Sequence, residues 1–306
     1  MANSRRVALL ACGLGLLAAC GMVAGIDGLE IGQCKGGLCA PETGGTDARP
    51  EEGGTDTGPP DDAGPLGPCT VGTKGPKMVR VGTSANNFCI DSTEVTLGHY
   101  REFTDAKGTD AGGQLPVCAW NVSYAAGAGG PDDNLPVAGV DWCDAVAYCK
   151  FAGKRLCGKH EGGSFKGAVS LTGLADFNTH EWLLACSNVG QLRYPYGGIQ
   201  QPTACNTGEN DAGRTLPVAS KPACAGGFAG VNDMIGNVWE WFDGPCVPPD
   251  AGGDAAAADS GPQKEECIVK GGSYAITGSN LGCASDGRGA ARDRRALDVG
   301  IRCCSD

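Results

Sequence analysis

The chain has 306 residues, 41% of them hydrophobic, which is enough for one substantial buried core. Its formal charge is -11, with 24 basic against 35 acidic residues and no basic stripe, so nucleic acid is excluded as a partner. Eighteen cysteines argue for an oxidising compartment.

In chain order, Arg5 and Arg6 form a short basic region before Val7 to Ala19, which is almost wholly apolar. Such a stretch suits a secretory signal over residues 1–19 and is too short to cross a membrane. Leu17-Ala18-Ala19-Cys20 resembles the lipobox of bacterial lipoproteins. The resemblance implies cleavage before Cys20, lipid on its sulfur and a membrane anchor in the cell envelope. Gly21 stands where inner-membrane retention signals carry an acidic residue, which points to the outer membrane.

Residues 20–68 hold nine Asp or Glu in a Pro- and Gly-rich run with few large apolar side chains, and so predict a flexible tether. The domain is expected over residues 69–306, interrupted by a similar disordered insert at about 247–263. Strands are predicted at Lys77 to Thr83 and Phe88 to Asp91. Thr96 can cap a helix carrying Leu97, Tyr100 and Phe103 on one face, Asp141 a second with Trp142, Ala145, Val146 and Cys149 inward, and Thr179 a third over Trp182 and Ala185. Further strands are predicted at Val238 to Phe242, Ile268 to Gly271 and Val299 to Cys303. Short elements, long loops and fourteen cysteines from Cys69 onward predict an irregular α+β domain with up to seven disulfides. No CxxC pair and only His99, His160 and His180 are present, so zinc is not favoured.

Several phrases then recur in one order: Phe88-Cys89-Ile90-Asp91-Ser92-Thr93-Glu94-Val95-Thr96, Val140-Asp141-Trp142-Cys143-Asp144-Ala145, Ala152-Gly153-Lys154-Arg155-Leu156, Glu181-Trp182, Asn232-Asp233-Met234-Ile235-Gly236-Asn237-Val238-Trp239-Glu240-Trp241, Val269-Lys270-Gly271-Gly272-Ser273-Tyr274 and Gly300-Ile301-Arg302-Cys303. Together they resemble the formylglycine-generating enzyme, or sulfatase-modifying factor, family, over roughly residues 77–304. The resemblance implies a C-type-lectin-like fold. It also implies calcium held by Asp233, Gly236, Val238 and Glu240, and at a second site by Asn206, Thr207, Asn210 and Ala212, with Asp211 a possible substitute. Read from the residues alone, Gly236-Asn237 makes a turn, Trp239 and Trp241 share a buried face, and Glu240 points the other way, to a cation or to water.

The family's active cleft is implied at Ser273 and Trp239, with a family Asn matched by Asp298. Its two copper-binding cysteines fall at Ile276 and Leu281, and hydrocarbon cannot ligate copper(I), so no copper and no formylglycine synthesis are expected. By resemblance Cys149 pairs with Cys303, and Cys186 matches a family half-cystine whose partner position is now Gly289; Cys283 is taken here as the replacement. His180 is expected at the surface as a cap. Two functions remain open: a non-catalytic binding or structural module with a protein or glycan ligand, and a copper- or other metal-dependent oxidase. A serine hydrolase is set aside because no Gly-x-Ser-x-Gly elbow is present.

Overall fold

The computed structural model describes residues 67–70, 74–127, 130–161, 179–210, 212–247, 261–278, 281–285 and 287–306. The signal, Cys20, nearly all of the tether, Asp211 and most of the insert lie outside the described residues. Among those described, no helix is long and apolar enough to cross a membrane.

Local chemistry starts each helix. Thr96 caps α1 (Leu97–Lys107), its hydroxyl accepting the His99 N–H while His99 answers the Thr96 N–H. Asp141 and Asp144 exchange the same two bonds at the start of α2 (Trp142–Phe151). The third cap differs from expectation. His180, not Thr179, starts α3 (Glu181–Ser187), its Nδ1 accepting from the Leu183 N–H. His180 is fully buried and stacked 4.2 Å from the Phe242 ring, which corrects its expected place at the surface.

Among the described residues, ten strands form three sheets. β1 (Met78–Gly82), β2 (Asn87–Asp91), β10 (Cys303–Ser305) and β3 (Arg155–Leu156) lie in the order β1-β2-β10-β3, and β4 (Ala225–Gly226) pairs with β5 (Phe228–Asn232). The central sheet runs β8 (Arg288–Ala291), β7 (Glu266–Lys270), β6 (Trp239–Trp241), β9 (Val299–Gly300), with β6 and β9 parallel. The strand expected over Val299 to Cys303 is thus two strands in different sheets, joined through Ile301 and Arg302. The insert is narrower than expected: Val247 pairs with Glu266, and Pro262–Lys264 forms a single 3-10 turn.

The central sheet is buried on both faces. Cys267 and Val269 join one apolar cluster with Trp239, Trp241 and residues of α1 and α2, whereas Ile268 joins a second with Trp182, Phe88 and Phe242. Period-two alternation therefore sends successive side chains into two different cores. Among the described residues, seven disulfides tie this irregular scaffold: Cys69–Cys89, Cys118–Cys143, Cys149–Cys303, Cys157–Cys304, Cys186–Cys283, Cys205–Cys224 and Cys246–Cys267.

Candidate functional site

The Gly236-Asn237 turn sits at the centre of the candidate site. Gly236 has φ +80°, and a Cβ there would come within 2.3 Å of the Asn206 carbonyl oxygen, so only glycine fits. The approach is locked by the Asn237 N–H donating to Asn206 O at 2.7 Å and by Asn206 Nδ2 donating to Asn237 Oδ1 at 2.9 Å. The structure therefore packs the 206–212 and 233–240 segments against each other.

Glu240 does lie opposite the two indoles of β6, but what it meets is neither water nor open space. It is 1% exposed, and Arg302 Nε donates to Oε1 at 2.8 Å while Trp182 Nε1 donates to Oε2 at 2.7 Å. Two further carboxylates crowd the same centre. Asp233 accepts the Ala219 N–H at 2.5 Å, and Glu94 accepts from Asn237 Nδ2 at 3.2 Å and from the Val238 N–H at 3.4 Å. Burial raises all three above the ordinary carboxylate range, and for Glu94 the charges of Asp233 and Glu240 add to it. Arg302 also donates to Asp91 O and Asn232 O at 2.8 Å each, so one guanidinium gathers three distant segments. Sequence reasoning missed Glu94 and Arg302, whose partners lie 62 or more positions away.

The second predicted oxygen set is less satisfied. Asn206 Oδ1 and Thr207 Oγ1 are buried with no hydrogen-bond partner among the described residues. Asn210 gives its Nδ2 to Cys205 O, and Ala212 is half-buried beside it. No group of three or more His, Cys, Asp or Glu side chains among the described residues is arranged to hold a metal ion. A cation here would need amide, hydroxyl and carbonyl oxygens as well.

Trp239 leads to the implied cleft. Ser273 is fully buried, and its hydroxyl donates to Asp298 Oδ2 at 3.1 Å. The Trp239 N–H donates to Asp298 O at 2.8 Å, and the Arg288 guanidinium lies 5.0 Å over the Trp239 ring and 3.9 Å from Asp298. Below this polar rim the two decisive positions do converge. A Cβ on Gly272 would meet Leu281 Cδ2 at 2.6 Å and Ile276 Cβ at 4.0 Å. Leu281 is 4% exposed, and Ile276 packs against both apolar clusters. Cys283, two positions beyond Leu281, is bonded to Cys186, and every cysteine among the described residues is in a disulfide.

Residues 65–306 match the sulfatase-modifying factor enzyme 1-like domain family. The chain is 25% identical over 301 residues to the formylglycine-generating enzyme of Bos taurus, covering 79% of this chain and 73% of that one. It is 27% identical over 184 residues to the hercynine oxygenase of Mycolicibacterium smegmatis, covering 53% of this chain but 38% of the relative. Among solved structures, PvdO from Pseudomonas aeruginosa is similar with a TM-score of 0.46 and 20% identity, over 73% of this chain and 82% of that one.

Proposed function

Because this chain belongs to the sulfatase-modifying factor enzyme 1-like domain family, we propose that it serves as a non-catalytic binding or structural module held in the cell envelope by lipid on Cys20. One observation carries the reading: Ile276 and Leu281, at the positions that the resemblance matches to thiolates, are hydrocarbon side chains that both approach Gly272 and pack in one apolar cluster. Copper(I) needs soft donors, and the described cysteines near this cleft are bonded to each other, so the donor set does not fit copper. The buried Ser273 hydroxyl, held on Asp298, has no histidine beside it to act as a base. What remains is a rim of indole, guanidinium and carboxylate, which suits recognition of a protein or glycan.

Calcium is part of the proposal. The partnerless Asn206 and Thr207 oxygens fit a hard cation, whereas Glu240 already has Arg302 and Trp182 on its two oxygens. Asn206, Thr207, Asn210 and Ala212 would hold one ion, and Asp233, Gly236, Val238 and Glu240 the other; each would be structural.

The second reading, a copper- or other metal-dependent oxidase, is favoured by relatives named hercynine oxygenase. Anaerobic titration of the full chain with copper(I) and iron(II) separates the two. No stoichiometric binding is expected; tight copper(I) binding lost in Cys283→Ser would overturn the proposal. Calcium is tested by melting: it should raise Tm in the parent and less in Asn206→Ala, and an unmoved parent Tm would remove calcium from the proposal.

A further inference from the structure

We propose that a hollow between the end of α1 and the outer side of α2 binds a single-chain anionic amphiphile, a carboxylate on an aliphatic tail. The hollow holds about 350 Å³, within the size range of small-molecule sites. Its walls are apolar: Val146, Ala147 and Phe151 come from α2, and Leu115 and Tyr124 from the loop that follows α1. The Cys118–Cys143 disulfide fixes that loop to α2, so the cavity is built into the crosslinked scaffold. It shares no residue with the Trp239–Ser273 cleft, and the inference stands apart from the function proposed above.

Charge selects the head group. Lys107, in the last turn of α1, and Lys150, in the last turn of α2, both line the hollow, and neither has an ion-pair partner among the described residues. A third ammonium, Lys74, lies 3.8 Å over the Phe151 ring. The Asp110 carboxylate accepts the N–H of the rim residue Gly112 at 2.8 Å. On a chain of net charge -11, two ammonium groups without an ion-pair partner among the described residues line one apolar cavity. A tail buried against Val146 and Phe151 with its carboxylate between Lys107 and Lys150 satisfies both features. The opposite wall includes Gly113, where an added Cβ would meet nothing within 4 Å, so that side stays open for entry.

The test is titration calorimetry on the full chain with octanoate, decanoate and dodecanoate, and with dodecyltrimethylammonium, all below their micelle concentrations. Affinity should rise by about fourfold per methylene while the tail still finds wall to cover. Dodecanoate should bind at least about tenfold tighter than the cation with the same tail. Lys107→Glu with Lys150→Glu should reverse that preference, and Ala147→Trp should abolish binding of both. Both lysines are outside the core, so the charge variants test the idea even if Ala147→Trp fails to fold. Equal affinity for the two head groups, affinity independent of tail length, or no saturable binding would overturn the proposal.

Discussion

The two sides of strand β6 meet opposite kinds of chemistry. On one, Glu240 enters a closed hub in which Arg302 answers it and reaches the backbone at Asp91 and Asn232. On the other, Trp239 lies under the Arg288 guanidinium, its backbone N–H bonded to Asp298 O, while Ile276 packs against both apolar clusters. The hub charges hold distant segments together, and replacing one leaves a buried charge alone. The cleft positions carried no such burden. Apolar side chains of similar size can occupy them and improve the packing. On the proposed reading the fold tolerates hydrocarbon in the cleft, whereas loss of a hub charge should be strongly destabilising.

The strongest way to break that contrast is Arg302→Met. Three buried carboxylates would lose their shared cation, and about 3–5 kcal/mol of stability should go with it. The loss should depend on pH. Glu94, Asp233 and Glu240 all have folded pKa values raised by burial, so the folded state binds protons more tightly than the unfolded chain. Stability should accordingly rise as pH falls from 8 toward 4, more steeply in the variant, whose deficit shrinks as the carboxylates are protonated. Urea melts at pH 5 and pH 8 check this; a variant within about 1 kcal/mol of the parent at pH 8 would mean that the hub is not structural.

What the sequence made legible follows the same division. Thr96 and Asp141 were readable as caps because a side-chain oxygen acting on a backbone N–H three residues away is a local event. His180 was not, because imidazole is an uncommon cap acceptor and its burial depends on Phe242, 62 positions later. Strand alternation correctly sent Glu240 away from the indoles. That its side of the sheet is also interior requires a second core, and Trp182, Phe88 and Ile268 come together there only in three dimensions. The reading of Ile276 and Leu281 as replacements rests on the register that the family phrases set across them. The lysine-rimmed hollow was not legible, since its walls join the outer side of α2 to a loop without periodicity.

Crosslinks sharpen the contrast at the next scale of effect. Arg302 is followed at once by Cys303 and Cys304, bonded to Cys149 and Cys157, so two staples close nearly the same loop of 154 or 147 residues. Removing Cys149–Cys303 leaves the second staple in place and should cost about 2–3 kcal/mol, the chain entropy of the short segment released. Cys186–Cys283, which spans 97 residues, has no neighbouring staple of matching span among the described residues, and its removal should cost about 4 kcal/mol. Alanine pairs at each disulfide, compared by thermal melting, measure the difference. Equal costs would show that neighbouring disulfides share the load on both sides.

The smallest effect lies in the cleft floor. Ile276 is half-buried and touches both apolar clusters, so Ile276→Val should lose one methyl group's packing, about 1 kcal/mol. In a domain of this size that is a fall in Tm of about 2–4 °C. The direction matters more than the size. If isoleucine fills space left by a metal site, trimming it must destabilise, and a more polar Ile276→Thr should cost more than valine despite similar volume. A Tm unchanged or raised in both variants would mean that this floor is not packed for stability. The cleft would then have kept room for a ligand, and the idea that hydrocarbon has sealed it would have to be given up.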